Sequence, residues 1–161
     1  CTSLQQICRK TYSQNFQSHW IPDGLEVFLE KEFNLNRLYS DLENDNINYY
    51  FIQHDSKIIG FAKITINASF FNFQKVAELD KIYILPTYKG LGLGKIVINE
   101  LIKLVKEQGM QYLYLCVLET NSSAIKFYQK TGFQYHSKTI INAPKIKEEH
   151  KKMNRMLKFL V

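Results

Sequence analysis

The order of elements readable in this chain predicts an α/β protein of the α+β type, a mixed sheet flanked by helices. Three observations carry that reading: helical spacing from Leu4 to Glu43, a strand hairpin after it, and then strand and helix in alternation before two closing strands. Leu4, Ile7, Cys8, Tyr12 and Phe16 recur at roughly helical spacing and set a first helix over about Ser3 to Ser18. Pro22-Asp23-Gly24 breaks it, and Asp23 is positioned to cap a second helix carrying Leu25, Phe28, Leu29 and Phe33. A third helical piece covers about Asn36 to Glu43. Residues 48–53 read as a strand, 54–57 as a tight turn, and Ile58 to Asn67 as the antiparallel partner. Val76 to Leu85 is a further strand, ended by Pro86. In Leu93 to Gln108 the residues Leu93, Ile96, Val97, Leu101, Leu104 and Val105 share one helical face, and Gly109 supplies the stop. Tyr112 to Val117 reads as a strand and Ser122 to Thr131 as a helix that Gly132 ends. Phe133 to Ile141 and Lys152 to Phe159 then pair around a lysine-rich excursion.

A chain of 161 residues is long enough for one domain, residues 1–161, with a core of its own. Its 45% hydrophobic and 22% charged content is ordinary for a globular protein. It has no apolar run of the roughly 18 residues that a membrane span needs. The start, Cys-Thr-Ser-Leu, is neither a signal peptide nor an initiating methionine, so residues are expected ahead of Cys1. Cys1, Cys8 and Cys116 are odd in number and lack metal-ligand spacing, which suits a reduced, cytoplasmic setting and no bound metal. Cys116, in an apolar run, reads as a buried small hydrophobe.

The net charge of +6 is unevenly spread. Seven acids against Lys31 and Arg37 make residues 21–45 acidic, while residues 46–161 carry a net +9. A basic half suits a highly anionic small molecule, and an acidic segment suits a cationic acceptor. The lysines are scattered rather than packed into one run, which argues against nucleic acid as the partner.

The motif with chemistry in it is Lys89-Gly90-Leu91-Gly92-Leu93-Gly94-Lys95, between an apolar strand and an amphipathic helix. Glycine at every second position strips a turn of side chains, so its N–H groups can converge on an anion beside the positive end of the following helix. A Walker loop is excluded, because Gly90 lies only four positions before Gly94 and Ile96 stands where a magnesium-binding hydroxyl belongs. A dinucleotide fingerprint is excluded as well, since its third glycine would fall on Lys95. The loop resembles [Gln/Arg]-x-x-Gly-x-Gly/Ala of the GCN5-related N-acetyltransferases (GNAT family), with Lys89 opening it. A second stretch, Asn121-x-x-Ala124-x-x-Phe127-Tyr128-x-x-x-Gly132-Phe133, resembles that family's downstream signature. Together the two cover about Ala77 to Phe133.

The resemblance implies the acyl-CoA N-acyltransferase fold, with a first strand that would precede Cys1. Without that strand one sheet edge is left open, or is paired by another subunit in a homodimer. It also implies acetyl-CoA as cosubstrate, inserted where the sheet splays between the strands at Glu78–Leu85 and Tyr112–Val117. Ile82 and Ile84 would then supply main-chain contacts. Lys89, Gly90, Leu91, Gly92, Leu93, Gly94 and Lys95 would cradle the pyrophosphate, and Asn121 would touch the cosubstrate. Asn121 also has a structural reason to stand there, as a helix N-cap. Lysine at position 89 keeps a charge but lacks the planar fork of arginine.

Acetyl transfer to an amine requires the amine to lose a proton and the departing thiolate to gain one. A phenol of pKa about 10 is a suitable donor at neutral pH, and Tyr128 occupies the matching place. Glu78 is the candidate base, with Asp80 and the acidic segment 21–45 as alternatives. On strict alternation Glu78, Asp80, Ile82 and Ile84 share one face of the strand. No cysteine falls in either signature, so direct attack in a ternary complex is expected rather than an acetyl-enzyme. The run from Glu78 to Pro86 looks closest to bacterial spermidine- and polyamine-type acetyltransferases. A protein or peptide N-terminus, or a lysine, is the alternative acceptor. A sensor that binds acyl-CoA without turnover is the reading from another class.

Overall fold

The computed structural model describes residues 1–160. Its chain begins with three helices, α1 (Thr2–Phe16), α2 (Gly24–Glu32) and α3 (Leu35–Leu42). A hairpin of β1 (Ile47–His54) and β2 (Lys57–Thr65) follows, then β3 (Val76–Ile84) and α4 (Leu93–Glu107). β4 (Tyr112–Leu118), α5 (Ser122–Lys130), β5 (Gln134–Ile140) and β6 (Lys152–Phe159) complete it. Every helix and strand read from the sequence is present, with ends within about two residues. Asp23 does stand at the N-cap of α2, but with φ of 63° and no side-chain capping bond. Asn34 caps α3 by accepting from the Arg37 N–H at 2.9 Å.

The strands form one mixed sheet in the order β1-β2-β3-β4-β6-β5, with only the β3–β4 pair parallel. α4 and α5 cover one face. Their core joins Ile98, Leu101 and Val105 to Ala62, Ile64, Leu79, Leu113, Leu115 and Met156. A fully buried side chain of this kind contributes about 1.5–3 kcal/mol. The apolar face of α4 centres on Ile98 rather than Ile96, which is 60% exposed and belongs to the solvent side. The difference is one of phase: positions 98, 101 and 105 face the sheet, and an aliphatic run defines a helix more firmly than it defines its rotation.

On the opposite face α1, α2 and α3 bury Leu4, Ile7, Cys8, Tyr12, Leu29, Phe33 and Leu38 against Phe61 and Tyr83. Lys63 enters this same layer with only 3% exposure. Its Nζ lies 2.8 Å from Asp41 Oδ2 and 3.2 Å from Asp80 Oδ2, and the Tyr49 hydroxyl donates to Asp41 at 2.7 Å. Burial alone would raise the Asp41 pKa. The hydrogen bonds from Lys63 and Tyr49 outweigh it and hold the carboxyl below its usual range.

Two pairings position the site. β2 and β3 slip register between Lys63↔Lys81 and Ile64↔Leu79, so Asp80 is the extra residue of a bulge. The parallel pairing of β3 with β4 stops at Leu79↔Leu115, although both strands run on, to Ile84 and Leu118. A bulge bends its strand and increases its twist, so β3 leaves β4 at the point where Asp80 is inserted. The sheet opens beyond it.

Candidate active site

A cleft of about 710 Å³ occupies that opening. Ile82, Tyr83 and Ile84 form one wall and Cys116, Val117 and Leu118 the other. The Leu85 N–H donates to the Ile59 carbonyl, so odd-numbered residues at this end of β3 bond to β2. By the alternation of an antiparallel ladder the main-chain groups of Ile82 and Ile84 point the other way, into the cleft. The Ile84 carbonyl is already taken by the Asn15 amide, at 3.0 Å. The N–H of each isoleucine and the Ile82 carbonyl remain available to an extended ligand.

At one end lies the glycine loop. Lys89 closes a turn of 3-10 helix (Pro86–Tyr88), and Gly90 and Gly92 take φ of 84° and 73°. Only glycine adopts these angles without strain. Gly94 differs, since it sits in the first turn of α4 without a positive φ, and a Cβ there would rest 3.5 Å from the Phe127 ring. Among the described residues no main-chain carbonyl accepts from the N–H groups of Gly90, Leu91, Gly92, Leu93 or Gly94. Five consecutive free donors, the positive end of a 15-residue helix, and the Lys89 and Lys95 side chains make an anion cradle.

α5 supplies the floor. Asn121 caps it, accepting from the Ala124 N–H at 3.1 Å and from Ser123 Oγ at 3.0 Å, and it also lines the cleft. It caps the helix and stands at the cleft wall. Tyr128, one helical turn beyond Ala124, reaches the cleft with its ring against Phe127 and Phe133. Burial pushes its phenol up to about 12, and among the described residues nothing hydrogen-bonds the hydroxyl. It is a protonated donor with no internal partner.

Glu78 lies elsewhere. The bulge at Asp80 breaks the alternation, so Ala77, Leu79 and Ile82 share the α4 face while Lys81 and Tyr83 face α1 and α2. Glu78 and Asp80 are therefore not on the face of Ile82 and Ile84, and neither lines the cleft. Burial raises the Glu78 pKa, opposed by the neighbouring Tyr114 hydroxyl. Asp80 is held below its ordinary value, because Lys81 and Lys63 overcome the effect of burial. Cys116 is half-buried at the cleft wall rather than sealed in the core, and burial pushes its thiol up to about 11.

The far end of the cleft was not legible in the sequence. Tyr12, Asn15, Phe16 and His19 from the end of α1 meet Tyr83, Ile141, Ile146 and Met153 there. The loop after α1 is stitched to the excursion between β5 and β6 by an isolated bridge, Trp20↔Ile146. The Ile21 N–H donates to Lys145 at 3.1 Å and the Lys147 N–H to His19 at 2.9 Å. This strap joins segments more than 120 residues apart, and no local motif announces it.

Comparison with known proteins agrees with this geometry. A curated spermidine N(1)-acetyltransferase of Thermoplasma acidophilum is 30% identical over 136 residues, covering 82% of this chain and 81% of that protein. A ribosomal protein bS18 alanine N-acetyltransferase of Haemophilus influenzae is 42% identical over 82 residues, 49% of each chain. The crystal structure of the PaiA N-acetyltransferase of Thermoplasma acidophilum in complex with coenzyme A superposes with a TM-score of 0.76. It shares 22% identity and covers 98% of this chain and 91% of its own. The sequence profile of the acetyltransferase (GNAT) family matches residues 6–133, and the chain is a member of that family, an acetyltransferase that uses acetyl-CoA.

Proposed function

We propose that this protein transfers the acetyl group of acetyl-CoA to a small primary amine by direct attack in a ternary complex. The observation that carries the proposal is one continuous cleft, running from the free N–H groups of the glycine loop, past Ile82 and Ile84, to the aromatic end at Tyr12, Phe16 and Tyr83. The pyrophosphate belongs on Lys89, Gly90, Leu91, Gly92, Leu93, Gly94 and Lys95. The pantetheine arm runs along Ile82 and Ile84 beside Asn121. Tyr128 protonates the departing thiolate. Residues 1–161 act as one domain in this reading.

For the acceptor, similarity to the spermidine enzyme supports a polyamine, and the rings at the far end suit an ammonium group held on aromatic faces. Of the seven acids in residues 21–45, four are paired within the chain: Glu26 and Glu30 with Arg9, Glu32 with Lys81, and Asp41 with Lys63 and Arg37. None lines the cleft. That lowers the weight of charge complementarity and widens the acceptor class to monoamines. A peptide N-terminus is the second reading, supported by the identity to the alanine N-acetyltransferase.

The test is thiol release from acetyl-CoA with polyamines, simple monoamines and peptides beginning with alanine. Turnover with small amines is expected. Turnover with peptides alone would replace the acceptor class. Coenzyme A binding without turnover on any amine would replace the enzyme by a sensor.

A further inference from the structure

Among the described residues the cleft has a proton donor and no carboxylate. Its titratable side chains are Tyr12, His19, Tyr83, Tyr88, Lys89, Lys95, Cys116 and Tyr128. Burial raises Tyr12 and Tyr83 above the ordinary phenol value, Tyr128 to about 12 and Cys116 to about 11, so all four stay protonated at neutral pH. Lysines 89 and 95 belong to the anion cradle. An alkylammonium acceptor with pKa about 10 must nevertheless lose a proton before it can attack. Among these side chains only an imidazole is of a type that accepts a proton near pH 7.

We infer that His19 is the general base, with the His150 ring stacked behind it and the Lys147 N–H holding its carbonyl. This rests on the transferase reading above. His19 stands at the acceptor end of the cleft, half-buried, at the close of the short 3-10 turn (Gln17–His19) that follows α1. Its ring lies 5.3 Å from Phe16, whose ring is 5.1 Å from Tyr83, so the imidazole borders the aromatic pocket offered to the amine. Neither of its ring nitrogens is hydrogen-bonded to another described residue, which leaves a lone pair for the substrate. On its other side the His150 ring stacks at 3.9 Å and 26°, held in turn by Thr120 Oγ1 at 3.4 Å from His150 Nδ1. The Lys147 N–H fixes the His19 carbonyl at 2.9 Å, and the Trp20↔Ile146 bridge anchors the strap on both sides.

Burial lowers the His19 pKa first, His150 next and Lys147 after that, and on the cleft side its ring borders Phe16. The step then balances. The ammonium gives one proton to His19, and the free amine attacks the thioester carbonyl. The C–N bond forms, the C–S bond breaks, and Tyr128 protonates the thiolate. The second amine proton returns to the Tyr128 phenolate through solvent, and His19 releases the first to bulk water. The net products are the acetamide, free coenzyme A and one proton.

The experiment measures kcat against pH, at saturating acetyl-CoA and amine, for the wild type and for His19→Gln and His150→Gln. In the wild type kcat should fall in acid as His19 protonates. His19→Gln should lose on the order of 10²-fold in kcat with acetyl-CoA affinity unchanged, and its acid limb should vanish. Added imidazole should restore part of the rate. The deficit should also shrink with amines of low pKa, which arrive already neutral. If His19→Gln does not fold, His150→Gln serves alone: without the stacked ring that lowers the His19 pKa, the acid limb must move to higher pH. Retention of rate and acid limb in His19→Gln, or an unmoved limb in His150→Gln, overturns the assignment while leaving the transferase intact. A wild type that acetylates no amine overturns the transferase reading itself.

Discussion

The Asn15 side-chain amide donates to the Ile84 carbonyl at 3.0 Å and to the Thr11 carbonyl at 2.8 Å, tying the last turn of α1 to the strand that leaves the sheet. Ile84 has no neighbour on its β4 side, because the parallel pairing ended at Leu79. Its carbonyl would otherwise face the cleft without a partner.

Asn15→Ala should therefore destabilise the protein by about 1 kcal/mol, the low end for an orphaned acceptor because the cleft admits water. Urea unfolding measures this. An unchanged midpoint would show that the amide contributes nothing net.

Tyr128→Phe should reduce turnover on the order of 10²-fold and leave coenzyme A affinity unchanged, since only the hydroxyl is lost and the ring contacts with Phe127 and Phe133 remain. Because burial holds the phenol near 12, the wild-type rate should not decline around pH 10, where an ordinary tyrosine ionises. A variant as fast as wild type would remove Tyr128 as the acid.

Two glycines of the loop should behave differently. Gly92→Ala places a Cβ at φ of 73°, so it should cost about 1 kcal/mol of stability as well as coenzyme A affinity. Gly94→Ala has ordinary contact distances to Phe127, so it should melt like wild type and yet bind coenzyme A more weakly. Calorimetric titration and thermal melts of the pair check this. Equal affinity for Gly94→Ala and wild type would move the pyrophosphate off the helix N-terminus.

The carboxylates beneath the sheet should show opposite pH signatures. Asp41 and Asp80 have folded pKa values below their unfolded ones, so their stabilisation is present above the unfolded value, about 3.9, and is lost as pH falls through the folded values. Glu78 has a raised folded pKa, so it favours the fold only while protonated and disfavours it as pH rises through that value. Glu78→Gln should be more stable than wild type at pH 7 and equal to it below about pH 4, where both side chains are neutral. Lys63→Met should cost about 3 kcal/mol at pH 7, the low end for a broken buried pair, because Arg37 stays on Asp41 and Lys81 on Asp80. Denaturant midpoints across pH give both results.

Local chemistry determined much of this protein from sequence. Periodicity set the helices and strands, because burying one face imposes a repeat of 3.6 or 2 residues on the chain. The glycines at 90, 92 and 94 and the Asn121–Phe133 stretch pointed to the end of the cleft proposed for the cosubstrate, because each is a contiguous run that would act through its own backbone or a single helix. What only the tertiary structure decided were relations between distant segments. One inserted residue at Asp80 reversed the facing of β3, which put Glu78 on the far side of the sheet from Ile82 and opened β3 from β4. Four acids of the acidic segment paired with Arg9, Arg37, Lys63 and Lys81 instead of lining the cleft. The far end of the cleft was assembled by hydrogen bonds between residues 19–21 and 145–147. Parity along a strand and contacts across long chain separations are set by the packing of the whole molecule, and a local pattern carries neither.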